Sequence, residues 1–185
     1  MASEGPNSPA SGTDDGTVGT KTWNNPGNIT ASDESDAAVN DTGVSNTGTD
    51  ETIRLVLADS SLGVENKADT VTEWPGADAY VSHGGAADAW SETLTGADVN
   101  NSNFGVVISG DIGGTITHYL KAADFSFSIP ETDIIDGIEV EIEKTKTFIS
   151  KGAALTLYVD HVRITVTHSE APAAEVAGQD GPYVY

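Results

Sequence analysis

The sequence predicts an all-β fold, an antiparallel β-sandwich with jelly-roll-like wrapping over residues 22–168, flanked by extended polar arms. Three observations predict it. Apolar residues recur at every second position in several short segments, the period of a half-buried strand. Gly, Pro and Asp turn signals separate those segments. Helical periodicity is nearly absent.

The elements follow in order. Ile53, Leu55 and Leu57 alternate along the first segment, and Phe104, Val106 and Ile108 along the second. Ile116, His118 and Leu120 make the third. In Phe125-Ser-Phe127-Ser-Ile129 the large residues share one face and the serines the other, and Pro130 ends the run because it cannot donate to a ladder. Asp136-Gly137 supplies a turn before Ile138, Val140 and Ile142, which face inward while Glu139, Glu141 and Glu143 face out. Leu155, Leu157 and Val159, then Val162, Ile164 and Val166, complete the series of strands. The one helical expectation is a short turn after Thr95, with Thr95 as cap and Asp98 near the positive N-terminal end.

Residues 1–21 and 169–185 are rich in Gly, Ser, Pro, Thr, Asp and Ala. Such stretches bury too little apolar surface to offset the entropy of ordering them, so both are expected to lie outside the domain as arms. The C-terminal Tyr183, Val184 and Tyr185 are the candidate partner-binding residues, since a tyrosine buries its ring while its hydroxyl reaches a partner.

Composition excludes several functions. There is no cysteine, so no disulfide, thiolate nucleophile or cysteine-ligated metal is available. Eight Lys and Arg stand against 29 acids, a formal net charge of −21, which repels nucleic-acid phosphates and anionic membrane surfaces. That charge fits solubility, saline surroundings, or pairing with a basic partner or calcium. The first eighteen residues contain no apolar run like the core of a signal peptide, so export by a route such as cell lysis is expected.

Motifs for catalysis are missing. Gly110-Asp-Ile-Gly113-Gly114 has neither the strand-to-helix setting nor the Lys-Ser/Thr of a phosphate loop and reads as a hairpin connection. His83, His118, His161 and His168 form no helical metal pair, and Asp160-His161 would point to opposite faces of a strand. Asp33, Asp36 and Asp41, with Glu34, Asn40 and Asn46, are oxygen ligands in a loop-like stretch and weak calcium candidates, without EF-hand spacing. Trp74, Tyr80 and Trp90 fall in one irregular stretch. They either stack on sugar rings as a glycan site or plug the open end of the sandwich, and the second reading is favoured. No cofactor and no enzymatic activity are expected.

Several segments resemble a β-rich domain of structural and hypothetical virion proteins of tailed bacteriophages and prophages. They are Trp23–Asp33, Asn66–Asp69, Trp74–Trp90, Asn100–Val107, Tyr119–Pro130, Ile135–Glu143 and Val159–Val166. In that pattern the Phe-Ser-Ile-Pro and Gly-Ile-Glu-Val-Glu-Ile strands precede the Ile-Arg-Leu-Val and Trp-rich pieces; here they follow, as in a permuted block. The resemblance implies a non-enzymatic particle component, with a capsid decoration or cement protein expected. It would touch the major capsid protein and neighbouring copies through its arms, as a homo-oligomer on the particle surface. A carbohydrate- or receptor-binding module of a tail, fibre or adhesin is the alternative.

Overall fold

The computed structural model describes residues 1–42, 45–148 and 154–172. Among them the strands are β1 (Ala2–Asn7), β2 (Ser11–Asp15), β3 (Ala37–Thr42), β4 (Gly48–Val56), β5 (Ala79–Gly85), β6 (Gly105–Ile112), β7 (Tyr119–Ala123), β8 (Ile134–Phe148) and β9 (Ala154–Ser169). They form two antiparallel sheets. One runs β1-β9-β8-β5, with β3 also on β9; the other runs β2-β7-β6-β4. β1 takes the Ile164–His168 end of β9 and β3 the Ala154–Val159 end, so the two share one edge of that strand. The antiparallel sandwich is therefore as expected. The two longest strands, β8 and β9, pair along their length within one sheet.

Between the sheets lies one apolar cluster. It includes Ile53, Leu55, Phe104, Ile108, Ile138, Ile142, Leu157 and Ile164, all at 0% exposure. Among the described residues, helix is limited to a 3₁₀ turn (Pro26–Ile29) and to α1 (Gly96–Val99). Asp98 accepts from both the Thr95 amide and the Thr95 hydroxyl at 2.8 Å, which fixes the start of α1.

Four expectations change. First, residues 1–21 are not an arm outside the domain. β1 completes one sheet, and β2 pairs with β7 from Ser11↔Ala123 to Asp15↔Tyr119 in the other. A ladder is a main-chain device, so an edge strand needs little apolar side-chain area. Gly12 shows the fit: a Cβ there would lie 2.0 Å from the Pro26 carbonyl and 2.7 Å from the Ile29 side chain.

Second, Phe125–Ile129 is no strand. Asp124 and Ser126 have φ of 62° and 54°, yet Phe125, Phe127 and Ile129 are buried. Side chains replace the missing ladder: Asn100 donates to the Ile129 carbonyl (2.7 Å) and accepts its amide (3.0 Å), and Asn7 donates to the Phe125 carbonyl (3.1 Å).

Third, Leu155–Val159 and Val162–Val166 belong to one strand. Glu143 faces His161 while Lys144 faces Val159, leaving Asp160 as a bulge that switches the inward face from odd to even residues. Fourth, β9 runs to Ser169, past the expected domain end at 168.

Candidate functional site

The most concentrated chemistry lies between the sheets. β8 keeps strict period two: Ile138, Val140, Ile142 and then Lys144 are buried on one face. On β4, a register shift between Asp50 and Thr52 leaves Glu51 unpaired and puts Asp50 inward alongside Ile53 and Leu55. A lysine from one sheet thus meets an aspartate from the other. Their side chains are 3% and 2% exposed, and Lys144 Nζ lies 2.5 Å from Asp50 Oδ1.

The surroundings complete the site. The Trp74 indole N–H donates to the same Oδ1 at 2.7 Å, and the Lys144 ammonium sits 4.9 Å from the Trp74 ring centroid. Trp74 is held there by its own amide, which donates to the Gly48 carbonyl at 2.7 Å. The other carboxylate oxygen, Oδ2, accepts the Asp69 amide at 3.3 Å. His83 on β5 lies with Nε2 3.9 Å from Oδ2. Its Nδ1 is 3.1 Å from the Lys67 carbonyl, which can only accept, so Nδ1 carries the proton and the lone pair of neutral His83 sits on Nε2. That nitrogen is buried and makes no hydrogen bond.

Burial, followed by the nearby Lys144 charge, holds His83 below the ordinary histidine value. Burial likewise lowers the Lys144 ammonium, against the pull of Asp50. A cavity of about 50 Å³ opens beside the pair, lined among others by Asp50, Asp69, Thr72, Trp74, Val81 and Lys144.

A second polar cluster surrounds the Asp160 bulge. His161 Nε2 meets the Ser8 hydroxyl at 2.8 Å and Nδ1 meets the Tyr80 hydroxyl at 2.8 Å, so the imidazole joins the β1–β2 connection to β5. Burial lowers the His161 pKa, with Glu143 opposing. Arg163 lies 3.9 Å over the Tyr80 ring and forks onto Glu141 at 2.7 and 2.9 Å. Asp36 and Asp160 are both pushed above the usual carboxylate value, first by burial and then by neighbouring acids.

The residues singled out from the sequence are dispersed. Trp74 and Trp90 are 2% and 1% exposed, and the Trp90 indole donates to the Ile138 carbonyl at 2.8 Å. They plug the interior and offer no stacking platform for a sugar, while Tyr80 has its ring occupied by Arg163. Of the calcium candidates, Asp41 is paired with Lys21 at 2.7 Å, which holds its carboxyl below the usual range, and Asp33 accepts the Ser35 amide of its own turn at 3.0 Å. Asp36 lies among acids instead. Among the described residues no group of three or more His, Asp or Glu is arranged to hold a metal ion. His118 and His168 each bind a carboxylate, Asp14 at 2.9 Å and Asp133 at 2.8 Å. Glu141 and Glu143 are half-buried rather than fully solvated. Tyr183, Val184 and Tyr185 lie outside the described residues.

Sequence reasoning missed Asp50 and Lys144. The signal for Lys144 was present, since it continues the Ile138-Val140-Ile142 face by one step. Asp50 had none, because only the bulge turns it inward. Among the described residues no helix is long and apolar enough to cross a membrane. No family model, curated protein or solved structure matches this chain.

Proposed function

We propose that this chain is a non-enzymatic structural protein of a tailed-phage particle, a decoration or cement protein seated on the major capsid protein, with further copies of itself around it. The observation that supports this best is the direction in which its reactive side chains are spent. Trp74 and Trp90 give their indole N–H groups to buried acceptors, and Lys144 neutralises an aspartate of the opposite sheet. Arg163 is committed to Glu141 and the Tyr80 ring. The polar chemistry thus joins the chain to itself. What remains outside is a strongly acidic surface, suited to a protein that must stay soluble before it docks. The resemblance of residues 22–168 to phage structural domains supports the same reading.

In this proposal Tyr183 and Tyr185 are the residues that contact the particle. The test is cosedimentation of purified chain with undecorated capsids, using full-length protein and a variant ending at residue 169. Saturable binding at a fixed copy number, lost on truncation, is expected. Binding to free glycans with no affinity for particles would overturn the proposal.

A further inference from the structure

Lys144 and Asp50 are arranged for more than an ion pair. The amine and carboxylate are in contact at 2.5 Å, shielded from water between two sheets, and each belongs to a different sheet. A proton carrier is at hand in His83, whose unpartnered Nε2 lies 3.9 Å from the oxygen that Lys144 does not touch. A donor is at hand in the Trp74 indole, which holds the other oxygen at 2.7 Å. Space for a released water lies alongside.

We propose that Lys144 and Asp50 condense to an intramolecular isopeptide bond that covalently ties the two sheets. One proton passes from the Lys144 ammonium through His83 Nε2 to Asp50 Oδ2, leaving an amine, a carboxylic acid and a neutral His83. The Nζ lone pair then attacks Cγ, forming the C–N bond while negative charge collects on Oδ1 beside the Trp74 N–H, in the manner of an oxyanion donor. His83 Nε2 takes a second proton from nitrogen and delivers it to Oδ2. The Cγ–Oδ2 bond breaks, Oδ2 leaves as water, Oδ1 returns to a carbonyl, and His83 is again neutral. Of the three ammonium protons, two leave in the water and one stays on the amide. No oxidant, reductant or further reagent is required.

Burial favours the step on two counts. The low-dielectric interior disfavours the separated charges, and it lowers the Lys144 pKa so that the nucleophilic amine is more accessible. The product is neutral and sends its water outward. In a chain without cysteine, such a bond supplies the cross-link that a disulfide supplies elsewhere. The inference stands whether or not the chain belongs to a particle.

The experiment is intact mass spectrometry of folded, full-length protein under denaturing conditions. The expected mass is one water below that of the sequence. Proteolysis should release a branched peptide joining the Asp50 and Lys144 segments. Lys144→Arg and Asp50→Ala should each restore the full sequence mass, and His83→Gln should leave most molecules unjoined. A wild-type mass equal to the sequence mass overturns the proposal. So does a water loss that persists in Lys144→Arg or maps to a succinimide at Asp15-Gly16, Asp136-Gly137 or Asp180-Gly181. Because the readout is the wild-type mass, a variant that fails to fold does not obscure the result.

Discussion

The two ends of the chain's fold are built by opposite means. The β8–β9 pair is held by side chains: Ile138, Val140 and Ile142 on β8 and Leu155, Leu157, Val159, Val162, Ile164 and Val166 on β9 are all at 0% exposure. The β1–β2 segment has almost no apolar side chain to bury, and is held by its main chain on the edges of both sheets. A few specific contacts add to that grip. Ser8 meets His161, Asp14 meets His118 and the Trp23 amide, and Glu4 accepts the Ser128 amide. The difference teaches that a strand can be polar throughout and still belong to the fold, provided a sheet edge is waiting for it.

That contrast can be broken at several points. The largest effect is expected from deleting residues 1–15, which removes both edge strands and uncovers Ile29 and the Phe125–Ile129 segment. Loss of several backbone hydrogen bonds, each worth about 1 kcal/mol net, should lower the melting temperature by on the order of 10 °C. An unchanged melting curve would return these residues to the status of a loose arm.

Next comes the hairpin. Leu157→Ala should cost about 2–5 kcal/mol in denaturant unfolding, as for other buried leucines. A cost below 1 kcal/mol would show that the core collapses around the change and that its side chains matter less than argued.

The link between the two regions is titratable. The folded-state pKa of His161 lies below its ordinary value of 6.5. Within the window between those values the unfolded chain binds more protons, so His161 contributes stability above 6.5 that is lost as pH falls through the folded value. His161→Gln should flatten the pH dependence of the melting temperature in that window. An identical profile in wild type and variant would assign the dependence to other groups.

Smaller effects sharpen the comparison. Glu141→Ala releases the half-buried Arg163 fork and should cost about 0.2–1 kcal/mol. Thr13→Ala, on the exposed face of β2, should change stability by about 0.5 kcal/mol or less, because that strand is held by its backbone. A larger loss at Thr13 than at Glu141 would reverse the assignment of side-chain and main-chain roles.

The sequence by itself determined the fold class, because alternation of buried and exposed residues is a local property that any strand must satisfy. Ile138-Val140-Ile142, Leu155-Leu157-Val159 and Val162-Ile164-Val166 were legible for that reason, and so was the Thr95 cap. It also determined that Phe125, Phe127 and Ile129 go inside, though not by what backbone path. The tertiary structure alone decided where polar strands attach, since the edges offered to β1 and β2 belong to segments over a hundred residues away in sequence. It alone turned Asp50 inward, through one unpaired residue that reverses the parity of β4, and moved the inward face of β9 from odd to even residues through the unpaired Asp160. Bulges of this kind leave little trace in hydrophobic pattern. They are set by how two strands twist against each other, and here one of them brings a buried aspartate to a buried lysine.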